Sequence, residues 1–177
     1  MAGRAPHTLT LPQQPREPDT QLRNRHRILI IEARFHETIA EELAAGAIAE
    51  LEAQGASYDR VSVQGALEIP QALASAVASG LIPQGAPSAR YSGAVALGCV
   101  IRGETFHFEI VANNANHWLM EVAIRHGVPV GNAILTVDAE EQALARAKGG
   151  RDGKGGEAAR ACLGLLAIAR QFQGQSA

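Results

Sequence analysis

Tyr91-Ser-Gly-Ala-Val-Ala-Leu-Gly-Cys-Val-Ile-Arg-Gly-Glu-Thr-Phe-His-Phe-Glu-Ile-Val-Ala112 is the stretch that decides the fold. Ala94 to Ile101 is an unbroken apolar run of strand length with β-branched members, the pattern of a strand buried on both faces of a parallel sheet. The character then changes abruptly. Arg102, Gly103, Glu104 and Thr105 are polar or permissive, and Phe106-His107-Phe108 follows. In open parallel sheets, ligands sit beyond the carboxyl ends of the strands. Gly103 lets backbone approach a ligand closely, and free N–H groups in such a turn can hold an anion. An imidazole is suited to moving protons near neutral pH, so His107 is a candidate for that work. Arg102 and Glu104 read equally as residues that solvate a turn, and His107 as a satisfied polar residue.

Working outward, 177 residues suit a single domain with a sizeable core. Aromatics are only 4%, and alanine makes up much of the 46% hydrophobic fraction, so the helices should pack closely through small side chains. A net charge of −2 argues against a nucleic-acid surface. Cys99 and Cys162 each lie in an apolar run and read as small core residues in a reducing compartment, not as a disulfide frame or metal site. No apolar stretch reaches membrane-spanning length. The N-terminus lacks the apolar core of a signal peptide, so the expected location is the cytoplasm.

Residues 1–24 are polar, carry Pro6, Pro12, Pro15 and Pro18, and read as a flexible arm. Residues 25–177 form the domain. Ile28-Leu29-Ile30-Ile31 is the first buried strand, running into a turn at Glu32-Ala33-Arg34-Phe35-His36. Phe35 is placed either to stack on a planar ring or to enter the core at a helix start. Glu37 to about Gln54 has helical apolar spacing, with Glu41, Glu42, Glu50 and Glu52 assigned to its wet side and Gly55 to its C-terminal cap. Tyr58 to Val63 is a second strand. After it, Glu68 reads either as an acceptor for ligand hydroxyls or as a charge favoured at a helix N-terminus. A helix from Pro70 to Ser79 follows, then a Pro/Gly loop from Leu81 to Arg90.

Beyond the central stretch, Asn113 or Asn114 looks like a cap for a helix that ends at Gly127. Trp118, Leu119, Val122 and Ala123 form its apolar side, with Trp118 in the core or an interface. Val128 to Val137 holds the fourth strand, and Asp138 with Glu141 imitates a capping box. A short helix carries Arg146. The basic, Gly-rich Lys148 to Gly156 is not a Walker loop and reads as a flexible linker. The last helix, Glu157 to Phe172, lines up Ala158, Ala161, Cys162, Leu165, Ile168, Ala169 and Phe172. Strand and helix thus alternate four times before a final helix. Parallel strands need crossover helices, so the expectation is a three-layer αβα sandwich of the flavodoxin-like class around a four-stranded parallel sheet.

Several segments together resemble one family. They are Ala33-Arg34-Phe35, Gly65-Ala66-Leu67-Glu68-Ile69-Pro70, Gly98-Cys99-Val100-Ile101-Arg102-Gly103-Glu104-Thr105-x-His107, Pro129-Val130, Leu135-Thr136-Val137-Asp138-x-Glu140-Glu141-Gln142-Ala143, Arg146 and Gly153-Lys154-Gly155-Gly156-Glu157-Ala158-Ala159. In this order, from Arg27 to Phe172, they resemble the 6,7-dimethyl-8-ribityllumazine synthases of riboflavin biosynthesis. The Gly-x-x-Ile-Arg-Gly-x-Thr-x-His element is specific, and it outweighs the bland reading of His107.

The resemblance implies a transferase that condenses 5-amino-6-(D-ribitylamino)uracil with 3,4-dihydroxy-2-butanone 4-phosphate, without metal or cofactor. It implies that Phe35 stacks on the pyrimidine ring. Ala66, Leu67 and Glu68 would line the ribityl-uracil pocket, and Cys99, Val100 and Ile101 would present backbone to the uracil. Gly103, Glu104, Thr105 and Arg146 would hold the phosphate, Lys154 would lie near the substrates, and His107 would donate and accept protons. Asn132 stands where many relatives carry an aromatic against the uracil, and His36 where an Asn is common. The resemblance also implies a homo-oligomer with sites between subunits, as a pentamer or twelve pentamers in a capsid, with riboflavin synthase as a further partner. A non-catalytic flavin- or lumazine-binding protein, or a shell-forming protein on the same scaffold, is the alternative. The presence of Thr105, His107 and Arg146 favours the enzyme.

Overall fold

The elements follow the expected alternation: β1 (Arg27–Ala33), α1 (Glu37–Ala53), β2 (Ser57–Val63), α2 (Glu68–Ala78), β3 (Gly93–Ile101), α3 (His107–His126), β4 (Val130–Val137), α4 (Glu140–Ala147), a 3-10 turn (Gly150–Asp152) and α5 (Lys154–Gly174). The computed structural model describes residues 26–82 and 89–174. The expected arm over residues 1–24, and residues 83–88 of the expected Pro/Gly loop, lie outside the described residues. All four strands are parallel, in the order β2-β1-β3-β4. Helices cover both faces, giving the three-layer flavodoxin-like sandwich. No described helix is long and apolar enough to cross a membrane.

Strand periodicity divides the core in two. Ile28, Ile30, Val95, Leu97, Leu135 and Val137 face α1, α4 and α5, whereas Leu29, Ile31, Ala94, Ala96, Val130 and Ile134 face α2 and α3. Small side chains bring backbones close on the first side. A Cβ on Gly155 would stand 1.9 Å from the Leu43 carbonyl oxygen of α1, and one on Gly131 would stand 1.8 Å from the Ala158 carbonyl oxygen of α5. The Gly-rich segment is therefore packed structure and not the flexible linker its composition suggests.

Glu50 departs from the wet side assigned to it. It is fully buried on α1 and accepts from Arg151 (2.7 Å), Gln54 (3.0 Å) and Arg160 (3.2 Å). Burial pushes its pKa up, but the hydrogen bonds from Arg151, Gln54 and Arg160 outweigh it and hold the carboxyl below its ordinary value. Helical spacing alone misplaces such a residue, because its partners lie about a hundred positions downstream.

Other boundaries move for local reasons. β1 continues through Glu32, which is buried because Arg60 and Ser62 of β2 donate to it. α2 starts at Glu68, two residues before Pro70, which then sits in a first turn where its missing N–H costs nothing. α3 starts at His107, well before the Asn residues expected to cap it. Asn114 and Asn116 instead donate to the Ile110 and Ala112 carbonyls, four residues back within the helix. Gly127 closes α3 in the left-handed region, at φ 61°. Asp138 and Glu141 form no capping box: the Asp138 N–H is met by Gln142 Oε1 at 3.0 Å. On α5, Ala158, Ala159, Cys162 and Leu166 are buried, while Leu165, Ile168 and Phe172 are exposed. Trp118 is 52% exposed and so is not core.

Candidate active site

The strand order reverses between β1 and β3, and an open α/β sheet offers a crevice at that point. A cleft of about 430 Å³ lies there. The turn after β1 contributes Phe35 and His36, the turn after β2 and the start of α2 contribute Gln64 to Glu68, the end of β3 contributes Cys99 to Ile101, and Gly103, Thr105, His107, Phe108 and Val111 complete the wall.

Each wall has a local cause. The Arg34 N–H donates to the Val63 carbonyl at 3.0 Å, keeping β1 beside β2 until both chains turn away. Phe35 is left 73% exposed, edge-on to His36 with ring centroids 5.0 Å apart, which removes the core alternative for this ring. In the next turn Glu68 folds back, and its Oε2 accepts the Gly65 N–H at 2.8 Å. Ile69 is fully buried beneath and anchors the turn. At the end of β3, the Arg102 N–H donates to the Val137 carbonyl at 2.9 Å, holding that strand end to β4. A Cβ on Gly103 would meet nothing within 4 Å, so its backbone is open to the cleft side.

Cys99 is half-buried: it packs against the core on the α1, α4 and α5 side, as expected, and also lines the cleft. Burial pushes its thiol up to about 11, with a smaller push from the Glu140 charge, so at neutral pH it is protonated. Cys162 is the buried one, with its thiol 3.4 Å from the Pro129 carbonyl.

The cleft thus gathers Phe35, Ala66, Leu67, Glu68, Cys99, Val100, Ile101, Gly103, Thr105 and His107. Asn132, Glu104, Arg146 and Lys154 do not line it. Asn132 on β4 is held by α3, donating to Asn116 Oδ1 at 2.7 Å while its own oxygen accepts the Ile134 N–H at 2.8 Å. Arg146 is exposed near the end of α4 and donates to the Gln142 carbonyl at 2.9 Å. Lys154, at the start of α5, pairs with Glu157. α4 and α5 cover the face of the sheet opposite to the cleft's helices α2 and α3.

Sequence reasoning passed over His36, Gln64, Gly65, Phe108 and Val111 as lining residues. His107, Phe108 and Val111 share one end of α3 at helical spacing, but that signal is readable only when the helix is started at His107.

This arrangement offers one aromatic face, a carboxylate, exposed strand-end backbone and an imidazole around a space of small-substrate size. The family model for 6,7-dimethyl-8-ribityllumazine synthase matches residues 25–170. A 6,7-dimethyl-8-ribityllumazine synthase 1 of Rhodopseudomonas palustris is 50% identical over 146 residues, covering 82% of this chain and 87% of the relative. A 6,7-dimethyl-8-ribityllumazine synthase of Methylocella silvestris is 53% identical over 143 residues, covering 81% and 85%. One from Bartonella tribocorum is 47% identical over 152 residues, covering 86% and 95%. On the family match across nearly all of the described domain, and on identities near one half, this chain belongs to the 6,7-dimethyl-8-ribityllumazine synthase family.

Proposed function

We infer that the chain condenses 5-amino-6-(D-ribitylamino)uracil with 3,4-dihydroxy-2-butanone 4-phosphate, yielding 6,7-dimethyl-8-ribityllumazine, phosphate and water in riboflavin biosynthesis. The observation that carries this reading is the convergence of Phe35, Glu68, the Cys99–Ile101 backbone, Thr105 and His107 on one cleft at the sheet's switch point.

The exposed Phe35 ring stacks on the pyrimidine, Ala66 and Leu67 shape the pocket, and Glu68 accepts from ribityl hydroxyls. Cys99, Val100 and Ile101 read the uracil edge through backbone groups, so a protonated thiol is no handicap. Gly103, Glu104 and Thr105, just ahead of α3, take the phosphate. The substrate amine attacks the ketone carbonyl, and loss of water gives an imine. Loss of the C3 proton and departure of inorganic phosphate from C4 leave an enol, whose tautomer is a ketone at C3; attack of the exocyclic ribitylamino nitrogen on that new carbonyl closes the ring with loss of a second water. His107 moves protons between these steps. Most of the acceleration comes from holding two substrates in attack geometry.

Arg146 and Lys154 serve the site of a neighbouring copy in this reading, with Arg146 pairing its guanidinium with the phosphate. Asn132 approaches the neighbour's uracil from the edge strand β4. Support comes from their placement: all three lie outside this copy's cleft, and Arg146 and Lys154 sit across the sheet from α2 and α3. Exposed Phe106, Ile110, Trp118 and Ile124 leave α3 with an apolar surface suited to another subunit. The assembly we propose is a pentamer, alone or as one of twelve in a shell, working in the cytoplasm with riboflavin synthase as protein partner.

The test is to mix both substrates with purified protein and follow lumazine absorbance. The reading requires product that depends on both substrates and on enzyme concentration. Binding of either substrate without turnover would overturn it.

A further inference from the structure

α3 begins badly for a helix that must hold a proton-moving side chain. Its N-cap residue is Phe106, no side chain caps it, and the first bond of the helix, from the Ile110 N–H to the Phe106 carbonyl, is long at 3.4 Å. Yet His107, Phe108 and Val111, all on this end of α3, line the cleft. Something other than a cap must fix the turn.

Arg102 is placed to do so. It follows β3, between Ile101 and Gly103 of the cleft wall, and is not itself among the residues that line the cleft. Its Nε donates to Asp138 Oδ1 at 2.8 Å, just beyond β4, and its Nη1 donates to Glu109 in the first turn of α3. The guanidinium carbon lies 4.2 Å from the centroid of the Phe108 ring. Asp138 is itself held through its N–H by Gln142 of α4. One planar group thus ties two strand ends to the first turn of α3 and backs Phe108, which packs against the core beside α2 and α3 and also lines the cleft. The guanidinium also holds the Glu109 carboxyl below its ordinary value, as expected for a standing ion pair.

We propose that Arg102 is a positioning residue for the condensation: its fork and stack set the start of α3, and with it His107 and Phe108, without touching substrate. This rests on the function proposed above. A lysine cannot replace it, because one ammonium has neither the fork for two carboxylates nor the flat face for Phe108.

The test compares Arg102→Gln and Arg102→Lys with the parent chain by amide hydrogen exchange and steady-state kinetics. In Arg102→Gln, exchange of the Ile110 and Val111 amides, the first to bond within α3, should rise about tenfold or more with the rest of the chain unchanged, a local opening of that turn. Its kcat should fall roughly 10- to 100-fold, as expected for misplacement of about 1 Å, while KM for the phosphate substrate stays within about threefold. Arg102→Lys should keep most of the kcat loss. Parental exchange in this turn overturns the proposal, as does full recovery of kcat by lysine. A rise in KM with kcat kept would make Arg102 a substrate-binding residue and also overturn it. If Arg102→Gln does not fold, Asp138→Asn and Glu109→Gln each release one arm, and each should lower kcat a few-fold; parental rates in both would overturn the proposal. Failure of the parent chain to turn over would defeat the functional reading, while exchange would still decide whether Arg102 holds the turn.

Discussion

Gly155→Ala tests the packing that carries the Gly-rich segment. A Cβ there would stand 1.9 Å from the Leu43 carbonyl oxygen and 2.8 Å from its carbon, and the obstacle is helix backbone with no side chain to swing aside. Ordinary contact begins near 3.4 Å, so α5 must lift from α1 by about 1.5 Å or the carbonyl must tilt out of its helix. Overpacking of this kind costs about 1–3 kcal/mol, and a backbone clash belongs at the upper end. For a chain of this size, about 3 kcal/mol lowers Tm by about 6–12 °C. Gly164→Ala is the internal control, since a Cβ there meets nothing within 4 Å on the same helix. Removing a helical glycine should stabilise by about 0.5–1 kcal/mol, raising Tm by about 1–4 °C. Thermal unfolding at one fixed protein concentration reads both. A Gly155→Ala melt within about 2 °C of the parent would refute the close-packing account, as would Gly164→Ala being the more damaging change.

Three further outcomes follow from the same geometry. Arg146→Ala should raise KM for the phosphate substrate more than for the uracil, and mixing it with His107→Ala protein under reassembly should restore activity, because the two residues serve one site from different copies; no restoration would mean that they do not meet across copies in one site. Cys99, pushed up to about 11, should be alkylated by iodoacetamide at pH 8 about tenfold or more slowly than a free thiol, accelerating as pH rises, and a rate equal to free cysteine would contradict its environment. Hydrogen bonds from Arg27, then the Tyr91 hydroxyl, then Arg90 hold the Asp59 carboxyl well below the usual range. A depressed folded pKa gives stability that is present above the unfolded value and lost as pH falls, so the Tm difference between the parent and Asp59→Asn should narrow below about pH 4; a difference that widens there would reverse the sign.

The order of strands and helices was legible because β3 and β1 are continuous apolar runs and each connection is long enough for a crossover helix. The Ala66–Glu68 turn and the Cys99–Thr105 strand end were legible as site walls because each follows a strand. What escaped was set by distant partners. Glu50 looks solvated until Arg151 and Arg160 are brought to it. Lys148 to Gly156 looks like a linker until Gly155 is seen against the backbone of α1, and Gly153 and Gly156 against the segment's own backbone. The start of α3 escaped because Phe106, Phe108, Ile110 and Val111 favour extended structure locally, and an arginine outside the helix takes the place of a cap. That error hid Phe108 and Val111 from the list of lining residues.

The measurement closest to the central claim is steady-state lumazine formation by the parent chain and by His107→Ala. His107 stands exposed at the open end of α3 in the cleft wall, so its loss leaves no buried partner unpaired and the variant should fold. The account predicts turnover by the parent. It predicts a kcat reduced about 10- to 10⁴-fold in the variant, because proton transfer is lost and positioning remains, with both KM values little changed. A variant that matches the parent in kcat would contradict the assignment of the chemistry to this cleft.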